Sequence, residues 1–196
     1  MLAIDENLRL TAWEIDLQFK DNPSNYGWIS ILLHWLTACI VLTLWFIADS
    51  ASILDTQQEQ RQQISLHISI AVIAYLFLWL RIGWRIKSGH PRLDNQSDLD
   101  HKVAKLAHAL LLLAMAVLLL TGPLVVWSGG HEIEVFGWFG IPGPFDGHPV
   151  LHEICASVHG YSGLTVIVVT LVHAAGALKH LMFNDDDVFL RIFTPK

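Results

Sequence analysis

Four long apolar runs divide the chain, and none of them contains Asp, Glu, Lys or Arg. They cover residues 29–48, 62–80, 106–130 and 154–178. A helix that crosses the apolar core of a bilayer needs about 20 residues, within a range of about 17 to 25. The helices of a soluble bundle would carry charges on their outer faces. The pattern therefore predicts an all-α protein, an integral membrane four-helix bundle, rather than a soluble one.

The polar segments between these runs define the domain organisation and the orientation. We predict spans at about 29–48, 64–84, 104–127 and 154–181 within a membrane domain of residues 29–181, flanked by tails at 1–28 and 182–196. Of the 12 Lys and Arg residues, only Arg61 falls in the connections from the first span to the second and from the third to the fourth. The excess of basic residues on the other side predicts that both termini, and hence both tails, are cytoplasmic.

Composition supports this class and excludes others. Hydrophobic residues make up 53% of the chain and charged residues 15%, where about 25% charged is usual for a soluble domain. Two cysteines are too few for a disulfide scaffold, and a net charge of −6 without a basic stripe excludes a nucleic-acid binder. The lipid bilayer is the expected environment, and the eleven histidines require an explanation.

Five histidines lie within or at the edges of the predicted spans, where ionisable residues are costly and usually functional. They are His34, His67, His108, His159 and His173. His159 and His173 are 14 residues apart in the fourth span, which places them on one helix face, roughly 21 Å apart. One small metal ion cannot bridge that distance. We therefore predict two layers: an outer one that pairs His159 with His67, and an inner one that pairs His173 with His34 or His108.

Two neutral imidazoles that face each other across a bundle can hold a haem iron. Two haems, one in each half of the membrane, would form a path for electrons. The alternative is that the histidines form hydrogen bonds between helices. A zinc or copper site would need three or four ligands close together, and the spacing argues against such a site.

Several short motifs are similar to those of the bacterial cytochrome b561 family, over roughly Tyr26 to Pro195. They are ILLHWL at 31–36, WLR at 79–81, KLAH at 105–108, LTGP at 120–123, VFGWFGIP at 135–142, LVHAAGALKH at 171–180 and FLR at 189–191. The resemblance implies a four-helix protein of the bacterial inner membrane with two haem b groups. It also implies that His34 and His173 bind the inner haem, that His67 and His159 bind the outer haem, and that electrons are exchanged with quinone.

One departure from the family concerns the outer ligand of the fourth span, which in the family is often followed by an acidic residue. Here His159 precedes Gly160, and a His152-Glu153 pair lies seven residues earlier. A ligand at His152 would separate the two layers by roughly 31 Å, which is too long for one layer in each half of the bilayer. We therefore prefer His159. His108 remains the alternative inner ligand.

Two arginines at the end of the second span, Arg81 and Arg85, are candidates for contacts with haem propionates through charge-assisted hydrogen bonds. They would also serve as plain anchors of the positive-inside kind. The sequence is compatible with both roles.

Three functions are consistent with these features. The first is an electron carrier between the quinone pool and a periplasmic or membrane redox protein, acting alone or as a subunit of a larger complex. The second is a superoxide oxidase that passes electrons from periplasmic superoxide to ubiquinone. The third is a structural membrane subunit. The two outer connections carry a net charge of −6, which disfavours capture of the superoxide anion and favours a basic partner.

Overall fold

The computed structural model describes residues 18–89, 91, 97–144, 146–183 and 188–195. Within them the chain forms α1 (Trp28–Ala51), α2 (Gln57–Ser88), α3 (Asp98–Ser128), strands β1 (Ile133–Val135) and β2 (Phe139–Ile141), α4 (Pro149–Phe183) and a short 3-10 helix (Leu190–Ile192). All four α-helices are long and apolar enough to cross a membrane. The predicted fold class, an all-α membrane bundle, is confirmed.

Polar residues set where the helices begin. Thr56 and Glu59 form a reciprocal capping box at the start of α2, and the Ser97 side chain accepts a hydrogen bond from the Asp100 amide at the start of α3. Such caps satisfy amides that have no partner within the helix. They explain why α2 and α3 begin several residues before their apolar runs.

The segment before α1 folds back onto the start of that helix. The Asp21 carboxylate accepts hydrogen bonds from the Gly27 amide and the Ser30 hydroxyl, both at 2.8 Å. A Cβ on Gly27 would lie 2.5 Å from the carbonyl oxygen of Phe19, so only glycine allows this approach. The described part of the N-terminal tail is therefore a loop packed on the bundle.

The four helices pack as two pairs, α1 with α2 and α3 with α4, and the contacts between the pairs are fewer. A small apolar core joins α2 to α3 at mid-height; it consists of Ala74, Leu78, Ile82, Met115 and Leu119. Many other apolar side chains of the helices are exposed, as expected of surfaces that face lipid. The limited contact between the pairs leaves space in which side chains of α4 face those of α1 and α2.

Strands β1 and β2 form an antiparallel hairpin that covers one end of the bundle, here called the hairpin end. Ile133 is opposite Ile141, and Val135 is opposite Phe139. The buried Ser69 hydroxyl of α2 accepts a hydrogen bond from the Phe136 amide at 2.9 Å. It donates its own hydrogen to the carbonyl oxygen of Ser65 at 2.8 Å. The hairpin is thus attached to α2 two residues beyond His67.

The opposite end of the bundle contains three buried arginines, Arg81, Arg85 and Arg191, and is here called the arginine end. Arg85 donates a hydrogen bond to the Tyr26 hydroxyl at 3.3 Å. The guanidinium carbon of Arg191 lies 5.1 Å from the centre of the Tyr26 ring. The C-terminal segment 188–195 therefore packs against the bundle through Arg191.

Candidate cofactor site

His67 of α2 and His159 of α4 face each other near the hairpin end. Their ring centroids are 6.5 Å apart, and the ring planes are at 82°. The structure brings together the two residues that the sequence predicted for the outer layer. His152 lies elsewhere, with its Nδ1 atom 2.9 Å from the carbonyl oxygen of Val125.

Hydrogen bonds define which nitrogen of each outer ring carries the proton. Nδ1 of His67 lies 2.9 Å from the carbonyl oxygen of Leu44, and because a carbonyl only accepts, Nδ1 must be the donor. Nδ1 of His159 lies 3.0 Å from the Thr121 hydroxyl. That hydroxyl donates its hydrogen to the carbonyl oxygen of Val117 at 2.7 Å, so it accepts from His159. In both rings the lone pair therefore resides on Nε2, as a metal ligand requires.

His34 of α1 and His173 of α4 form a second pair toward the arginine end. Their ring centroids are 6.3 Å apart, with the planes at 61°. His108 of α3 is also close to His173, at 4.8 Å between centroids. The structure thus brings both of the predicted inner candidates next to His173, but at different distances.

These distances can be compared with the size of a metal ion. With metal–nitrogen bonds of about 2 Å and roughly 1.2 Å from nitrogen to ring centre, two imidazoles that bind one ion from opposite sides have centroids about 6.4 Å apart. The pairs His67–His159 and His34–His173 match this spacing. The 4.8 Å between His108 and His173 is too short for an ion between the rings. The geometry favours His34 over His108.

The two pairs are separate sites. His159 and His173 are 14 residues apart on one continuous helix, a separation of roughly 21 Å. No group of three or more His, Cys, Asp or Glu side chains within the described residues could hold a metal ion. Each pair offers two imidazole nitrogens, a donor set that fits an iron porphyrin, since the macrocycle supplies the other four nitrogens.

The helix surfaces beside these pairs contain small residues. At Gly160, Gly163 and Gly176 of α4, an added Cβ would meet no other atom within 4 Å. Gly122 of α3 faces His159, because a Cβ there would lie 3.5 Å from the Cε1 atom of that ring. These positions therefore leave open space on the helix surfaces near the pairs, and the two-imidazole donor sets fit a haem.

The arginine end places positive charge near the inner pair. Arg81 lies 14 residues beyond His67 on α2, so it reaches the level of the inner pair. It is 9% exposed, and among the described residues its Nη1 atom has no hydrogen-bond partner. Arg85 follows one turn later and bonds Tyr26.

Three residues of this arrangement were not singled out from the sequence: Thr121, Tyr26 and Arg191. Thr121 and Arg191 belong to the LTGP and FLR motifs. Those motifs could have pointed to the two residues. However, a threonine in a span or an arginine in a tail can serve many structural roles, so the motifs alone do not assign a function to them. Their contacts with residues distant in the sequence identify them here.

Two comparisons with known proteins identify the family of this chain. A family model described as prokaryotic cytochrome b561 matches residues 25–195. The chain belongs to this family. A relative in Escherichia coli (strain K12), cytochrome b561 homolog 2, is 30% identical over 182 residues, which are 90% of this chain and 95% of the relative. As a member of the cytochrome b561 family, the protein is a multi-pass bacterial membrane protein that carries electrons on b-type haem.

Proposed function

We propose that the protein binds two haem b groups, one between His34 and His173 and one between His67 and His159. The observation that carries this proposal is the nearly equal spacing of the two pairs, 6.3 and 6.5 Å between ring centroids. A bound haem supplies a one-electron carrier at each site. Two such sites on the face of one helix would carry electrons across most of the membrane thickness.

The protein's own residues hold and orient the ligands. The carbonyl oxygen of Leu44 and the hydroxyl of Thr121 accept from Nδ1 of His67 and His159, which fixes the tautomer and the ring orientation. Partners of this kind commonly change metal affinity 10- to 100-fold. Arg81 and Arg85 contribute buried positive charge at the other pair, where they would bind haem propionates.

The orientation follows from the basic residues. We infer that the arginine end faces the cytoplasm and the hairpin end faces the periplasm, with the protein in the inner membrane. In this orientation His34 and His173 are the cytoplasmic ligands. His67 and His159 are the ligands closer to the periplasm.

The hairpin end carries seven acidic residues against Arg61. They are Asp49, Asp55, Glu59, Glu132, Glu134, Asp146 and Glu153. A negative surface attracts a basic redox protein and repels the superoxide anion. We therefore propose electron exchange between the quinone pool and a basic periplasmic or membrane partner, in preference to superoxide oxidation.

Haem quantification on the purified membrane protein tests the proposed binding of two haems by the two histidine pairs. We expect two haems per chain in the wild type and one in His67→Ala or His34→Ala. His152→Ala and His108→Ala are matched controls, because each removes a nearby histidine that the proposal does not use as a ligand; both should retain two haems. One haem in His108→Ala and two in His34→Ala would reverse the inner assignment. A wild type without haem would leave a structural membrane subunit.

Stopped-flow reduction tests the proposed electron exchange between quinone and a basic partner. We expect a ubiquinol analogue to reduce the haems, and the reduced protein to pass electrons to a basic c-type cytochrome at a rate that falls as salt is added. Replacing Glu132 and Glu134 with Gln should weaken that salt dependence. Rapid haem reduction by superoxide, followed by reduction of ubiquinone, would instead support the oxidase.

A further inference from the structure

Three guanidinium groups are buried together at the arginine end. Arg81, Arg85 and Arg191 are 9%, 5% and 6% exposed, respectively. A buried charge is costly unless it is paired or fully hydrogen-bonded. Arg85 has the Tyr26 hydroxyl as an acceptor, and Arg191 donates from Nη1 to the carbonyl oxygen of Pro91 at 3.2 Å. Both of these acceptors are uncharged.

Two of the buried N–H groups remain without an acceptor. Within the described residues, Nη1 of Arg81 and Nε of Arg191 have no hydrogen-bond partner. Both atoms belong to residues that are more than nine-tenths buried. Leaving such donors unsatisfied costs free energy. The described residues therefore leave two buried donors at the arginine end for which a bound acceptor would compensate.

The position of Arg191 places this site next to the inner histidines. Trp35, which follows His34, donates from Nε1 to the carbonyl oxygen of Ile192 at 3.0 Å, and its ring lies 5.1 Å from that of Phe193. Arg191 and His108 line one small pocket, and His108 lies 4.8 Å from His173. The C-terminal segment is thus held against the inner pair from two sides.

We infer that Arg191 binds a carboxylate of the haem held by His34 and His173, together with Arg81, so that the C-terminal segment completes the inner haem site. This inference rests on the proposed function. The propionates are the anions that such a haem would bring to buried arginines, and guanidinium groups bind carboxylates well. The segment 188–195 is then a positioning element of the cofactor site rather than a separate tail.

Redox titration of the full-length protein, with the two haems resolved, tests the inference. Arg191→Gln removes one buried positive charge, so the midpoint potential of the arginine-end haem should fall, while that of the hairpin-end haem should stay the same. Arg191→Lys should recover most of the shift. Lys179→Gln is the matched control: it removes the same charge at the same end, but its side chain is 56% exposed in an ion pair with Asp100. It should leave both potentials unchanged.

Two outcomes would overturn the inference. One is an unchanged arginine-end potential in Arg191→Gln. The other is a shift of equal size in Lys179→Gln. If an unchanged potential in Arg191→Gln is accompanied by loss of a copurified phospholipid, measured by native mass spectrometry, the site belongs to a lipid phosphate instead.

Two further measurements keep the test decisive. If Arg191→Gln does not accumulate, resonance Raman spectra of Arg191→Lys should show shifted propionate bending bands, and unshifted bands would refute the contact.

Haem content separates this inference from the proposed function. Two haems with unchanged potentials refute only the role of Arg191, whereas two haems retained in His34→Ala refute the ligand assignment itself.

Discussion

The Thr121 hydroxyl of α3 lies 3.0 Å from Nδ1 of His159 on α4, and its own hydrogen is donated to the carbonyl oxygen of Val117. Thr121 therefore acts as an acceptor for the histidine. A hydrogen bond of this kind raises the basicity of a metal-bound imidazole. It links two helices at the level of the proposed outer haem.

Replacing Thr121 with Val should raise the midpoint potential of the hairpin-end haem, because a less basic imidazole stabilises the oxidised iron less. Redox titration measures this, and haem content should fall in parallel. Thr165→Val is the matched control. It removes an exposed threonine of α4 whose hydroxyl donates in the same way to a backbone carbonyl, that of Tyr161 at 2.8 Å. Equal shifts in both variants would contradict the assigned role of Thr121.

Gly122 should tolerate a small side chain and reject a large one. A Cβ there would lie 3.5 Å from the His159 ring, which is ordinary van der Waals contact. Gly122→Ala should therefore keep two haems per chain, whereas Gly122→Leu should displace the ring and lose the hairpin-end haem. Gly83→Leu controls for the added bulk, because a Cβ at Gly83 meets nothing within 4 Å. Full haem retention in Gly122→Leu would show that the contact is unimportant.

Replacing Ser69 with Ala should destabilise the protein by about 1 kcal/mol, because the part-buried Phe136 amide loses its hydrogen bond to the buried Ser69 hydroxyl. The free energy of unfolding in mixed detergent micelles is the quantity to measure. Ser65→Ala, one turn earlier and exposed, should change it little. An equal loss in the two variants would mean that the contact between the hairpin and α2 contributes no specific stability.

Replacing Trp35 with Phe removes the hydrogen bond to the carbonyl oxygen of Ile192 while keeping an aromatic ring. Amide hydrogen exchange over residues 188–195 should become faster, since the segment loses one of its attachments. Trp45→Phe, a partly exposed tryptophan of the same helix, should leave that exchange unchanged. Unaltered exchange in Trp35→Phe would place the main attachment at Arg191.

Much of the fold was predictable because its signal is local. Charge-free apolar runs of sufficient length predict spans without any knowledge of their neighbours. The four helices include three of the runs whole, and all of the third except Gly129 and Gly130. The helices are longer than the runs at several ends. Capping residues such as Thr56 and Ser97 begin the helices in polar sequence, and hydropathy does not detect these residues.

The candidate site was predictable only in part. The shared face of His159 and His173 follows from helical periodicity within α4 alone. Which residues oppose them depends on how α1, α2 and α3 are rotated and placed, and periodicity carries no such information. Helical spacing alone did not distinguish His34 from His108, and only the family resemblance favoured His34. They differ in the structure, at 6.3 and 4.8 Å from His173.

The sequence by itself determined the class of the protein, the number of spans and the histidines within them, because each depends on the chemistry of a single segment in contact with lipid. Only the tertiary structure decided that Thr121 orients His159 and that Arg191 is buried beside Tyr26. These relationships join residues 38 and 165 positions apart. Contacts over such separations arise when helices pack together and when the C-terminal segment folds back onto the bundle. No local pattern of residues encodes either event.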